Sequence, residues 1–140
     1  MDTACLEHRL TEAEREQFET QGYLIIEDAL EPERVAALTA LTDAIHAQKV
    51  AGGFDPKSAL FYPNFIPDNP QFADLVDYEK IFPKVWGILG WNIYLYHAHL
   101  IITPPTGRER DDKTVGWHQD SGRVNVEMES HPRPRLSLNV

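Results

Sequence analysis

The stretch Val115–Gly122, VGWHQDSG, sets an imidazole and a carboxylate two residues apart. Alternate residues of an extended strand project to the same face, so His118 and Asp120 can point at one spot while Gln119 points away. A neutral imidazole beside a carboxylate suits a divalent first-row metal. Two imidazoles and one carboxylate on one face of an octahedron leave positions open for Fe(II) oxygen chemistry. Taken alone, the spacing favours a polar pair on a surface strand, since His-x-Asp arises easily by chance. A second pair at the same spacing, His97 and His99, lies in YHAHLIITPP. Histidines so placed either hydrogen-bond within a half-buried interior or line a pocket.

These residues need elements to hold them. Around the metal-type pair, VGWHQD reads as a strand, RVNVEME as a further strand, and RLSLNV as a strand that begins just before the last residue given. WNIYLYHAHLIITPP is rich in β-branched and aromatic residues, which predicts a strand over Asn92–Thr103, closed by two prolines. The polar run TGRERDDKT after it reads as an exposed loop.

The earlier part of the chain has helical periodicity. Thr11 followed by Glu14 fits a capping box and predicts a helix over Thr11–Thr20, ended by Gly22. YLIIEDAL is a short β-prone run. EPERVAALTALTDAIHAQ restarts a helix with Pro32 in its first turn, and Val35, Leu38, Leu41, Thr42 and Ile45 form a buried stripe. The segment Val50–Pro70 is rich in Gly, Pro and aromatics and reads as an ordered loop of the kind that covers a site, with Tyr62 and Phe65 as core anchors or as parts of a lid. Short helices are expected over Gln71–Tyr78 and Phe82–Leu89. Helices first and strands later predict one α+β domain over residues 1–140, helical to residue 90 and stranded after it.

Composition narrows the partners. The 140 residues carry 13 basic and 22 acidic side chains for a net charge of −9, which argues against nucleic acid or an anionic membrane surface. The single cysteine, Cys5, cannot form an internal disulfide, the N-terminus is too charged for a signal peptide, and no apolar run approaches the ~18 residues of a membrane span. A soluble, cytoplasmic protein is the expectation.

YHAHLIITPP, the charged loop, GWHQDSG, and the opening LTEAEREQFETQGYLIIEDALEPERVAAL occur here in the order seen in one family. Together they resemble the phytanoyl-CoA dioxygenase family of Fe(II)- and 2-oxoglutarate-dependent oxygenases, over essentially the whole chain, with WHQD as the most specific element. The resemblance implies a double-stranded β-helix, a cupin-like jelly roll, with helices packed on it. It implies that His118 and Asp120 are the first two members of a His-x-Asp…His iron triad. It places His99 in a strand that lines the barrel and contributes to the 2-oxoglutarate site, with His97 facing the same way as a substrate-pocket residue. Gln119 becomes a cosubstrate or outer-sphere contact, and Trp117 packing behind the metal. TPP at Thr103–Pro105 departs from the KPP common in relatives, so a lysine that assists there is missing. His8, His46 and His131 are read as solvated or packed, and Arg123, Arg133 and Arg135 as surface charges.

In the family the distal histidine and the arginine that grips 2-oxoglutarate follow His-x-Asp at a distance beyond Val140, and a closed barrel needs about eight strands, of which about half can be counted here. The expectation is that these residues are part of a longer oxygenase. A split enzyme completed by another polypeptide and a truncated, non-catalytic paralogue are the alternatives. A rival from another class is a non-catalytic cupin-like module that binds metal through His97 and His99, although LIITPP lacks the glutamate that cupin sites add after such a pair.

Overall fold

The computed structural model describes residues 3–105, Asp120, 122–132 and 134–140. A 3-10 turn over Thr3–His8 leads to α1, Glu12–Gln21. The capping box forms as the sequence requires. The Glu14 amide donates to Thr11 Oγ1 at 3.2 Å, and the Thr11 amide donates to Glu14 Oε2 at 2.8 Å, so two otherwise unpaired helix-start donors are satisfied reciprocally. Gly22 closes the helix in the left-handed region at φ 81°, its N–H bonded to Phe18 O, a conformation that costs a residue with a side chain far more.

α2 runs over Pro32–Ala51 with proline in its first turn, where the missing N–H has no partner to lose. Leu38, Leu41, Thr42 and Ile45 lie on its half-buried stripe together with Arg34, Ala37, His46, Lys49 and Val50, at three- and four-residue steps. Val35, expected on that stripe, is 46% exposed and falls outside it.

The sheet departs most from expectation. β1, Leu60–Pro63, lies inside the segment read as loop and pairs antiparallel with β2, His99–Ile102, placing Leu60 opposite Ile102 and Pro63 opposite His99. The Asn64 amide extends the ladder by one bond, donating to Ala98 O at 3.0 Å. The strand predicted over Asn92–Thr103 therefore contracts to four residues, because its partner is only four long and strand character needs a ladder. The third strand expected in RVNVEME is instead the helix α5, Gly122–Glu127, supported by an i,i+4 pair in which Arg123 Nε donates to Glu127 Oε1 at 2.9 Å. RLSLNV forms no strand; Arg135 docks it on the helices, its guanidinium donating to Ile88 O at 3.2 Å and pairing with Glu19. Arg135 is thus a tie between segments and not a simple surface charge. Among the described residues the sheet has two strands, and the jelly-roll closure is not formed. The strand expected over VGWHQD lies outside the described residues except for Asp120, which is in a turn.

Between the strands come α3, Pro70–Ala73, and α4, Phe82–Leu89. The helix expected over Gln71–Tyr78 stops after one turn, because the Leu75 and Val76 amides bond three residues back, to Phe72 O and Ala73 O, as in a tightening 3-10 turn. α4 matches its expected limits. Gly87 in it lies against the chain just before α1: an added Cβ would sit 2.8 Å from Leu10 Cβ, closer than two carbons pack.

Three polar ties fix these layers. Lys84 Nζ donates to Glu14 Oε1 at 2.6 Å, joining α4 to α1. Glu31 accepts from Lys80 Nζ and from Tyr78 Oη, each at 2.6 Å, while the Arg34 guanidinium stacks 5.0 Å from the Tyr78 ring centroid, so the start of α2 is bound to the segment before α4. The Lys80 and Tyr78 bonds hold the Glu31 carboxyl down to about 2, and the same bonds push Tyr78 and Lys80 up. Tyr62 Oη donates to Asp68 at 2.5 Å and lies under the Lys49 ammonium, 4.5 Å from its ring centroid, tying β1 to α2. Phe65 meets Phe72 edge to face at 4.9 Å, and Phe72 is 3% exposed. Tyr62 and Phe65 are therefore anchors of this layer.

Candidate functional site

The two-residue period of the ladder sorts β1 and β2 into faces. Leu60, Tyr62, Leu100 and Ile102 turn inward and are buried or half-buried; Phe61, Pro63, His99 and Ile101 turn outward and are exposed. Tyr62 brings the inward face against α2. The outward face carries the histidines. The His99 ring lies 5.1 Å from that of Phe61, its diagonal cross-strand neighbour, and the His97 ring lies 4.8 Å from that of His99, with Tyr96 flanking His97 at 6.4 Å. The expectation that His97 and His99 face the same way holds. Both are exposed, so the half-buried, hydrogen-bonded alternative for them does not.

Asp120 is exposed in the turn that leads into α5. His118 and Gln119, with Trp117, lie outside the described residues. Among the described residues no group of three or more His, Cys, Asp and Glu side chains is disposed to hold a metal ion, so Asp120 does not join His97 and His99 in a three-ligand set. The chemistry of the donors still fits Fe(II): an imidazole at His118 and an accessible carboxylate at Asp120 are the ligand types that a non-haem iron site uses.

The other histidines divide as their contexts suggest. His131 is exposed; His46 is half-buried on α2 with Nε2 unbonded among the described residues; His8 lines a cleft of about 690 Å³ with Glu14, Lys80 and Lys84. Burial pushes the Glu14 carboxyl up, but the Lys84 ammonium and the Thr11 amide and hydroxyl together hold it below the usual carboxylate range. The cations of that cleft are already paired. A smaller cleft of about 380 Å³ lies between α2 and the inward side of β1, lined by Leu41, Ile45, Gln48, Tyr62, Asp68 and Phe72 among others.

Phe61, which packs on His99, was not singled out from the sequence. The signal was present in LFYP, where Leu60 and Tyr62 alternate with Phe61, but the surrounding glycines and prolines masked it.

The model of the family described as phytanoyl-CoA dioxygenase (PhyH) matches residues 18–140, and the chain belongs to that family. The family is one of Fe(II)- and 2-oxoglutarate-dependent oxygenases in general. No curated protein and no solved structure matches the chain. Among the described residues no helix is long and apolar enough to cross a membrane.

Proposed function

We propose that this chain belongs to an Fe(II)- and 2-oxoglutarate-dependent dioxygenase that oxidises, by hydroxylation, a C–H bond of a small organic metabolite. The observation that carries the reading is the family match over residues 18–140, which spans His118-x-Asp120. Bound there, Fe(II) with 2-oxoglutarate and O₂ supplies the oxidising chemistry, with decarboxylation of the cosubstrate to succinate and CO₂. The protein's own task is placement. His118 offers a neutral imidazole and Asp120 a carboxylate whose negative charge offsets part of the cation's. His99 and Gln119 hydrogen-bond the cosubstrate, and His97, beside His99 on the same exposed face, lines the substrate pocket. The net charge of −9 agrees with a small-molecule partner and not a polyanion.

Asp120 is the sensitive position. It is exposed in a turn, so Asp120→Ala removes a ligand without opening a cavity. In the natural protein this substitution is expected to abolish 2-oxoglutarate turnover and to weaken Fe(II) binding, with the circular dichroism spectrum of the fold retained. Turnover retained in the variant sinks the assignment.

A further inference from the structure

We propose that Phe61 is a positioning residue for His99, holding its imidazole in the orientation in which it hydrogen-bonds 2-oxoglutarate. The inference rests on the oxygenase reading, in which His99 contacts the cosubstrate, and adds to that site a residue from the other strand. The cross-strand register carries it. Phe61 lies opposite Ile101 and Pro63 lies opposite His99, so Phe61 is the diagonal neighbour of His99 on the outward face. Pro63, directly across, has an apolar ring and offers the imidazole no side-chain hydrogen bond. The diagonal neighbour supplies the contact instead: the Phe61 and His99 ring centroids lie 5.1 Å apart, with the rings inclined at 38°.

Phe61 is 56% exposed, whereas Leu60 beside it is 5% exposed and Tyr62 turns inward, so the core is filled by its neighbours and the Phe61 ring contributes little there. The backbone under both rings is fixed. The β1–β2 ladder holds Phe61 and His99 in register, and the bond from the Asn64 amide to Ala98 O, at 3.0 Å, extends that ladder beside His99. An exposed imidazole that rotates freely has to be ordered when it binds a ligand, which lowers affinity. A ring held against it from the partner strand restricts its rotamers, so part of that ordering is complete before 2-oxoglutarate arrives.

The test is calorimetric titration with 2-oxoglutarate of the natural protein, loaded with Fe(II) under exclusion of O₂, and of its Phe61→Leu, Phe61→Tyr, His99→Ala and Phe61→Leu/His99→Ala variants, each with a circular dichroism spectrum to verify folding. Phe61→Leu is expected to weaken 2-oxoglutarate binding roughly two- to tenfold, the effect of one more side chain left to be ordered. Phe61→Tyr, which keeps the ring, is expected to bind as the parent does. Once His99 is alanine, Phe61→Leu should have no further effect, whereas a ring that served packing alone would lower the urea midpoint and leave the affinity unchanged. In the protein without metal or cosubstrate, the imidazole C–H proton resonances of His99 should lose their ring-current shift in Phe61→Leu and keep it in Phe61→Tyr. The proposal is overturned if Phe61→Leu binds 2-oxoglutarate as the parent does, if Phe61→Tyr weakens binding as much as Phe61→Leu, if the effect of Phe61→Leu is the same with His99 replaced, or if His99→Ala binds as the parent does. The last result also removes His99 from the cosubstrate site. In every case the oxygenase reading stands or falls separately, by turnover at Asp120.

Discussion

The Lys84–Glu14 tie between α4 and α1 should be asymmetric, costing far more when the carboxylate is lost than when the ammonium is lost. The side chain of Lys84 is 11% exposed and that of Glu14 is 26% exposed, so the pair is neither a surface ion pair nor a fully buried one. Glu14→Gln keeps the capping box, because a glutamine at that position can still accept from the Thr11 amide. It turns a charge-assisted bond from Lys84 into a neutral one, a loss of ~1 kcal/mol. It also removes a favourable negative charge from the first turn of α1, a further ~0.5 kcal/mol, and leaves the nearly buried ammonium without a counter-charge. The sum is about 2 kcal/mol, or roughly 6–8 °C in Tm for a chain of this size. Lys84→Met instead places an apolar side chain in a site that is already apolar in part, while Glu14 keeps its Thr11 bonds and its access to water, so the loss should stay below ~1 kcal/mol. Urea denaturation followed by circular dichroism at neutral pH measures both. The folded-state carboxyl of Glu14 titrates below its ordinary value of 4.5, so its contribution is complete above that pH and is lost as pH falls through the folded value. The gap between parent and Glu14→Gln should therefore close on acidification. A Glu14→Gln variant within ~0.5 kcal/mol of the parent at neutral pH, or a Lys84→Met loss larger than the Glu14→Gln loss, refutes the reasoning.

Glu31 gives a second acid-dependent contribution: its carboxyl is held down to about 2 by Lys80 and Tyr78, so its contribution is present above 4.5 and disappears between there and about 2. Urea midpoints of Glu31→Gln and the parent should differ at pH 6 and converge toward pH 2; a constant difference contradicts it. Phe72→Ala removes a side chain that is 3% exposed and packs edge to face on Phe65, with an expected cost of about 3–4 kcal/mol in the same assay, and a loss under ~1 kcal/mol shows that this layer does not support β1 as described.

What could be read from the sequence follows from how local each determinant is. The capping box at Thr11 and Glu14, the helix end at Gly22, the prolines in the first turns of α2 and α4, and the stripe on α2 are set within a few residues of one another, and the structure keeps each of them, with Val35 alone dropping out of the stripe. β1 could not be read this way, since Leu60–Pro63 becomes a strand only by pairing with His99–Ile102, far along the chain. RVNVEME shows the opposite error. Its alternating valines match a strand, but Arg123 and Glu127 at i,i+4 and the bond from the Met128 amide to Val124 O favour a helix, and among the described residues no ladder partner pairs with it.

The same dependence on partners governs the candidate site. Leu24 and Ile26 are half-buried while Tyr23 and Ile25 are exposed, so YLII keeps the two-residue alternation of a strand although it joins no ladder among the described residues. Alternation belongs to the side chains and was legible; pairing belongs to another segment and was not. For His99 both conditions are met, since β1 supplies the ladder, and the exposed His97 ring lies 4.8 Å from it. Asp120 stands in a turn, and the strand expected before it lies outside the described residues. Substitution at Asp120 is accordingly the direct probe of the proposed iron site, and substitution at Phe61, which packs on His99, probes the histidine face from its supporting side.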